Sequence, residues 1–141
     1  MNDSITNPRH YNELNPQPWD VCADWSLDFF EGNILKYLAR AGRKQGASAH
    51  ADITKALTYA RKLKKLDEDS KAIWSRKTRS NAKRVYSLQE LIDCWSLPKT
   101  LIPSLTGIMH ISGYKTTRQH RSEAINLMIT YLEHAAEKEL E

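Results

Sequence analysis

Ser26-Leu27-Asp28-Phe29-Phe30-Glu31-Gly32-Asn33-Ile34-Leu35-Lys36-Tyr37-Leu38-Ala39-Arg40-Ala41-Gly42 spells one amphipathic helix. Ser26 is the candidate cap. Phe30, Ile34, Leu38 and Ala41 recur at three- and four-residue spacing as an apolar stripe, and Gly42 is a natural stop. Working outward, Arg43-Lys44-Gln45-Gly46-Ala47 is a short turn, and Ser48 starts a second helix with Ile53, Ala56, Leu57, Ala60, Leu63 and Leu66 on its apolar face. Two helices joined so closely predict an antiparallel hairpin.

The rest of the chain carries the same kind of signal. Ser87 and Glu90 form a capping box ahead of Leu88, Leu91 and Ile92. Leu101 to Ile111 is a further candidate helix, and Thr117 to about Lys138 a long final one. Pro8, Pro16 and Pro18 predict an extended, irregular lead-in over the first eighteen residues. With five glycines and no sustained alternation of apolar and polar residues, no strand is expected. The fold class is all-α, a helical hairpin bundle.

A degenerate repeat runs through it. Trp25-Ser26-Leu27 recurs as Trp95-Ser96-Leu97, Gly42-Arg43-Lys44 as Gly113-Tyr114-Lys115, and Thr58-Tyr59 as Thr130-Tyr131. Ile53 is matched by Ile125 and Leu57 by Ile129, while Asn33, Lys36 and Arg40 find no equivalents. The expected organisation is a first helical hairpin with its lead-in over 1–69, a basic linker or helix over 70–86, and a degenerate second copy over 87–141 that packs on the first.

Composition excludes several classes. Two cysteines, Cys22 and Cys94, are too few for a disulfide framework or a zinc ribbon. No apolar run is long enough for a membrane span, and Met1-Asn2-Asp3-Ser4 lacks the order of a signal peptide, so a cytoplasmic location is expected. The net charge of +4 is local. Acids and bases balance over 1–69, whereas 70–86 holds Lys71, Arg76, Lys77, Arg79, Lys83 and Arg84 and no acid. Such a run is a solvated face, or a contact for phosphates.

Chemistry concentrates on the first hairpin. Asn33, Lys36, Arg40 and Lys44 advance by three or four residues and so share a face, expected opposite the apolar stripe. Asp52, Lys55, Tyr59 and Lys62 do the same on the second helix, and the folded hairpin brings the two stripes to a common cleft. Cations at helical spacing suit phosphate oxygens, Arg40 bidentately, and an amide such as Asn33 suits a base or sugar edge.

Pro8-Arg9-His10-Tyr11, Gly32-Asn33-Ile34-Leu35-Lys36-Tyr37, Arg40-Ala41-Gly42-Arg43-Lys44, and Asp52-Ile53-Thr54-Lys55-Ala56 with Tyr59 resemble a family of small phage proteins. Its functionally named member is the nucleotide kinase of a short-tailed coliphage. The resemblance covers about residues 8–66. It implies nucleotide binding and phosphoryl transfer to a nucleoside monophosphate, with a donor such as ATP and no other cofactor. Carried over by motif, Lys36, Arg40 and Asp52 become catalytic candidates. His10, Tyr11, Asn33, Tyr37, Lys44, Lys55 and Tyr59 join Lys36 and Arg40 as nucleotide-binding candidates.

Phosphoryl transfer asks chiefly for positioning and charge stabilisation, which a cationic cleft can supply. No Gly-x-x-x-x-Gly-Lys-[Ser/Thr] loop is present, and no paired-acid spacing supports a metal. Two other readings use the same residues differently. One is a nucleotide-binding protein without turnover that sequesters a host signalling nucleotide in an anti-defence role. The other is a nucleic-acid-binding protein working through the 70–86 run, whose aromatics are only Trp74 and Tyr86. Two nucleotides need more cations than one hairpin offers, so a homo-oligomer sharing its sites is expected.

Overall fold

The computed structural model describes residues 14–43, 48–69, 83–113 and 116–140. Among them all regular structure is helical: α1 (Pro18–Trp25), α2 (Phe29–Arg40), α3 (Ala49–Glu68), α4 (Leu88–Cys94), a 3-10 turn (Lys99–Leu101), α5 (Ile102–Ile111) and α6 (Arg118–Lys138). The all-α expectation holds.

Local sequence explains most of these boundaries. Ser48, Ser87 and Thr117 each cap the expected helix by accepting a backbone N–H three residues on. The first long helix differs. Its cap is Asp28, which forms a capping box with Glu31, and Ser26 instead closes the preceding helix in the left-handed region at φ 54°. That preceding helix, α1, is one the expected lead-in does not contain. Pro18 stands at its start, where a missing N–H costs nothing.

The hairpin α2–α3 forms as expected, and α3 runs antiparallel along α6, which pairs in turn with α5. One core lies among these four helices, built from Ile34, Leu35 and Leu38, from Ile53 and Leu63, from Leu105 and Ile108, and from Ile125 and Leu132. Trp25 and Trp95 are its largest members, both 1% exposed.

The two tryptophans are joined to the opposite half of the chain. The Trp25 indole N–H donates to the Tyr86 carbonyl at 2.9 Å, and the Trp95 indole N–H donates to the Pro16 carbonyl at 2.6 Å. Each acceptor lies directly before the N-cap of the other half's first helix. Ser96, like Ser26, is left-handed at φ 47°, and Leu27 and Leu97 donate backward to Cys22 and Ile92 at the same 3.0 Å. Of the basic 70–86 stretch, 70–82 lies outside the described residues. Arg84 is not a solvated cation: its guanidinium sits 4.9 Å from the Trp25 ring centre and donates to the Met109 carbonyl and the Ser112 hydroxyl.

Candidate functional site

Tyr37, one residue past Lys36 on α2, is the centre of the site. Its ring stacks on Tyr59 of α3 with centroids 6.0 Å apart and planes 22° apart. Three cations approach the ring: Arg40 at 4.8 Å, Lys36 at 5.4 Å and Lys55 at 5.6 Å from its centre. All lie within the distance at which a cation is drawn to the electron-rich face of a ring. Tyr59 also meets Phe29 edge-on and Phe30 at a tilt of 56°, so the pair is fixed from behind by an aromatic cluster.

Spacing alone places Arg40 and Lys36 on one polar face, and the structure separates them. Lys36 and Asn33 are partly exposed. Arg40 is 6% exposed, and its Nε and Nη2 both donate to Asp52 Oδ1, at 2.9 and 2.7 Å. Asp52 is fully buried, and Oδ2 accepts no hydrogen bond among the described residues. The expected polar cleft is thus partly internal. A buried arginine needs a carboxylate opposite it, and the first turn of α3 brings one. Lys55 is exposed and points its ammonium toward Tyr37. His10, Tyr11 and Lys44 lie outside the described residues.

Beside this cluster, α1 and α2 enclose a cleft of about 310 Å³. Trp19, Cys22, Leu27, Phe29, Asn33 and Lys36 are among its walls. Asn33 donates its Nδ2 back to the Phe29 carbonyl at 2.8 Å. The Cys22 thiol is pushed up to about 11, first by burial and then by the nearby Glu31 carboxylate. Trp19 and Cys22 carry no motif and were not among the expected site residues.

A second set of buried charges also escaped the sequence reading. Arg121 of α6 lies between Glu31 of α2 and Asp67 of α3, each at 3.3 Å, and donates to the Ile111 carbonyl at 2.9 Å. Glu31 serves twice, because its other oxygen accepts the Asp28 N–H in the capping box.

A family model described as a protein of unknown function (DUF3310) matches residues 5–61. Helices α1 and α2 and both parts of the site, from Pro18 to Tyr59, fall inside that segment. No curated protein and no solved structure matches the chain. No helix among the described residues is long and apolar enough to cross a membrane.

Proposed function

We propose that this protein binds a nucleotide, with the phosphate held by Lys36 and Lys55 beside Tyr37. The convergence of Lys36, Arg40 and Lys55 on one tyrosine ring carries the reading. Two of these cations end on flexible stems at the surface of the hairpin, where they can close on phosphate oxygens by charge-assisted hydrogen bonds. Arg40, tied to Asp52, sets the ring and the local field.

The phage-family resemblance extends this to a nucleoside monophosphate kinase without a P-loop, using a donor such as ATP in the cytoplasm. On this reading residues 1–69 form the nucleotide-binding half. Residues 87–141 are a degenerate second copy completing the core, a view the reciprocal tryptophan bonds support. A second nucleotide's phosphates would draw on cations from another subunit of a homo-oligomer.

One observation favours binding without turnover. Asp52, the carboxylate expected to take a proton, is fully buried and engaged by Arg40. Incubation with nucleoside monophosphates and ATP, followed by chromatography of the products and of the protein-bound fraction, separates the two. Diphosphate product supports the kinase, and retained nucleotide without product supports sequestration. Neither product nor bound nucleotide overturns both.

A further inference from the structure

We propose that the cleft between α1 and α2 takes the planar base of the nucleotide, with Trp19 and Phe29 as its aromatic walls. This rests on the phosphate site proposed above and assigns the other end of the same ligand.

Continuity is the first argument. Lys36 lines the cleft and also stands 5.4 Å from the Tyr37 ring, and Phe29 lines it while meeting Tyr59 edge-on. One ligand can therefore reach from the cations into the cleft without leaving the protein surface. A volume of about 310 Å³ is at the small end of small-molecule sites, suited to a base and part of its sugar.

Exposure is the second. Trp19 is 55% and Phe29 67% exposed, although each borders an apolar hollow. Large rings left half in water contribute little to the core, and stacking on a base would cover them. Asn33 on the same wall offers an amide for the edge of the base.

The second half of the chain supplies an internal control. Trp25, Ser26 and the residues before the caps recur there in the same structural roles. Continuing that register, Trp19 corresponds to Gln89, Phe29 to Lys99, Lys36 to Thr106 and Tyr37 to Gly107. A comparable corner, continued there by the 3-10 turn Lys99–Leu101, therefore forms without the aromatic walls and with Thr106 in place of Lys36. What folds the corner recurs, and the two aromatic walls and Lys36 do not.

The test is equilibrium binding by the full chain of nucleoside monophosphates of each base, of the matching nucleosides, and of ribose 5-phosphate. Some monophosphate should bind at least several-fold more tightly than ribose 5-phosphate. Trp19→Ala should weaken that monophosphate by roughly five- to a hundredfold, the range for loss of one base–aromatic stack, with ribose 5-phosphate unchanged, and Phe29→Ala, whose ring also backs Tyr59, should weaken it at least as much. Lys36→Ala should weaken both ligands. Both aromatic positions are surface-exposed, so melting curves near wild type are expected and are checked alongside. If monophosphate and ribose 5-phosphate bind alike, or Trp19→Ala weakens them equally, the base site is overturned and the phosphate site stands. If neither ligand binds, both are overturned.

Discussion

Trp25 and Trp95, seventy residues apart, exchange indole hydrogen bonds with each other's halves: Trp25 with the carbonyl before the second half's first helix, Trp95 with the carbonyl before the first's. The arrangement is reciprocal, as in a two-fold interface between copies, but it lies within one chain. It makes each half a condition for the other's packing. Arg43 reinforces the link, since its guanidinium holds the α2 C-terminus through Ala39 and also donates to the Trp95 carbonyl.

Replacing either tryptophan with Phe keeps a ring in place and removes the donor. Each change should cost about 1–3 kcal/mol, the usual penalty of an orphaned buried acceptor. The effect should be larger for Trp95→Phe, whose bond is the more buried of the two. Denaturant unfolding checks this. A single cooperative transition in both variants is expected, and separate melting of the halves would contradict the mutual packing.

Arg40 and Lys36 should behave differently despite their shared spacing. Arg40→Ala leaves the buried Asp52 carboxylate without its cation and should destabilise the fold by about 3–5 kcal/mol. Adding Asp52→Ala should recover part of that loss, read from a double-mutant cycle in thermal melts. Lys36→Ala should melt within about 0.5 kcal/mol of wild type while losing phosphate-ligand affinity. Equal melting of the two single variants would remove the structural role given to Arg40.

Arg121 carries a comparable burden at the other end of the hairpin. Arg121→Met strands Glu31 and Asp67, both buried, and should cost about 3–5 kcal/mol. The triple change Glu31→Gln, Asp67→Asn, Arg121→Met should be more stable than Arg121→Met alone. Urea midpoints of the two proteins decide the matter.

The two thiols should separate cleanly by reactivity. Cys94 is exposed, whereas Cys22 is held near 11 by burial and by Glu31. Only the thiolate attacks, so a disulfide reagent at pH 8 should modify Cys94 quickly and Cys22 slowly. In Cys94→Ser the Cys22 rate should climb about tenfold per pH unit until about pH 11. The raised value also links to stability. The buried neutral thiol contributes fully below the ordinary value of 9.0, and that contribution is lost as pH rises from there toward about 11.

Helix type and most helix starts were legible in the residue order, because caps and apolar periodicity act within a turn or two of the chain. Ser48, Ser87 and Thr117 needed no tertiary partner to be read correctly. Asp28 was missed for a local reason: Ser26 is as good a cap by composition, and only the left-handed turn after α1 gives the role to Asp28. Lys36 on one helix and Lys55 and Tyr59 on the other were legible as two stripes, since periodicity gives each side chain's angle about its own helix axis, whereas Tyr37 entered only through the family resemblance.

Periodicity does not say which side chains on a face are covered. Arg40 turned inward because Asp52, twelve residues on, arrives opposite it, and Arg121 is buried because Glu31 and Asp67 come from two other helices. The cleft walled by Trp19 and Phe29 likewise exists only where α1 lies against α2. Desolvating a charge is tolerable only with its partner in place, and partners brought together by packing leave no trace in the spacing along the chain.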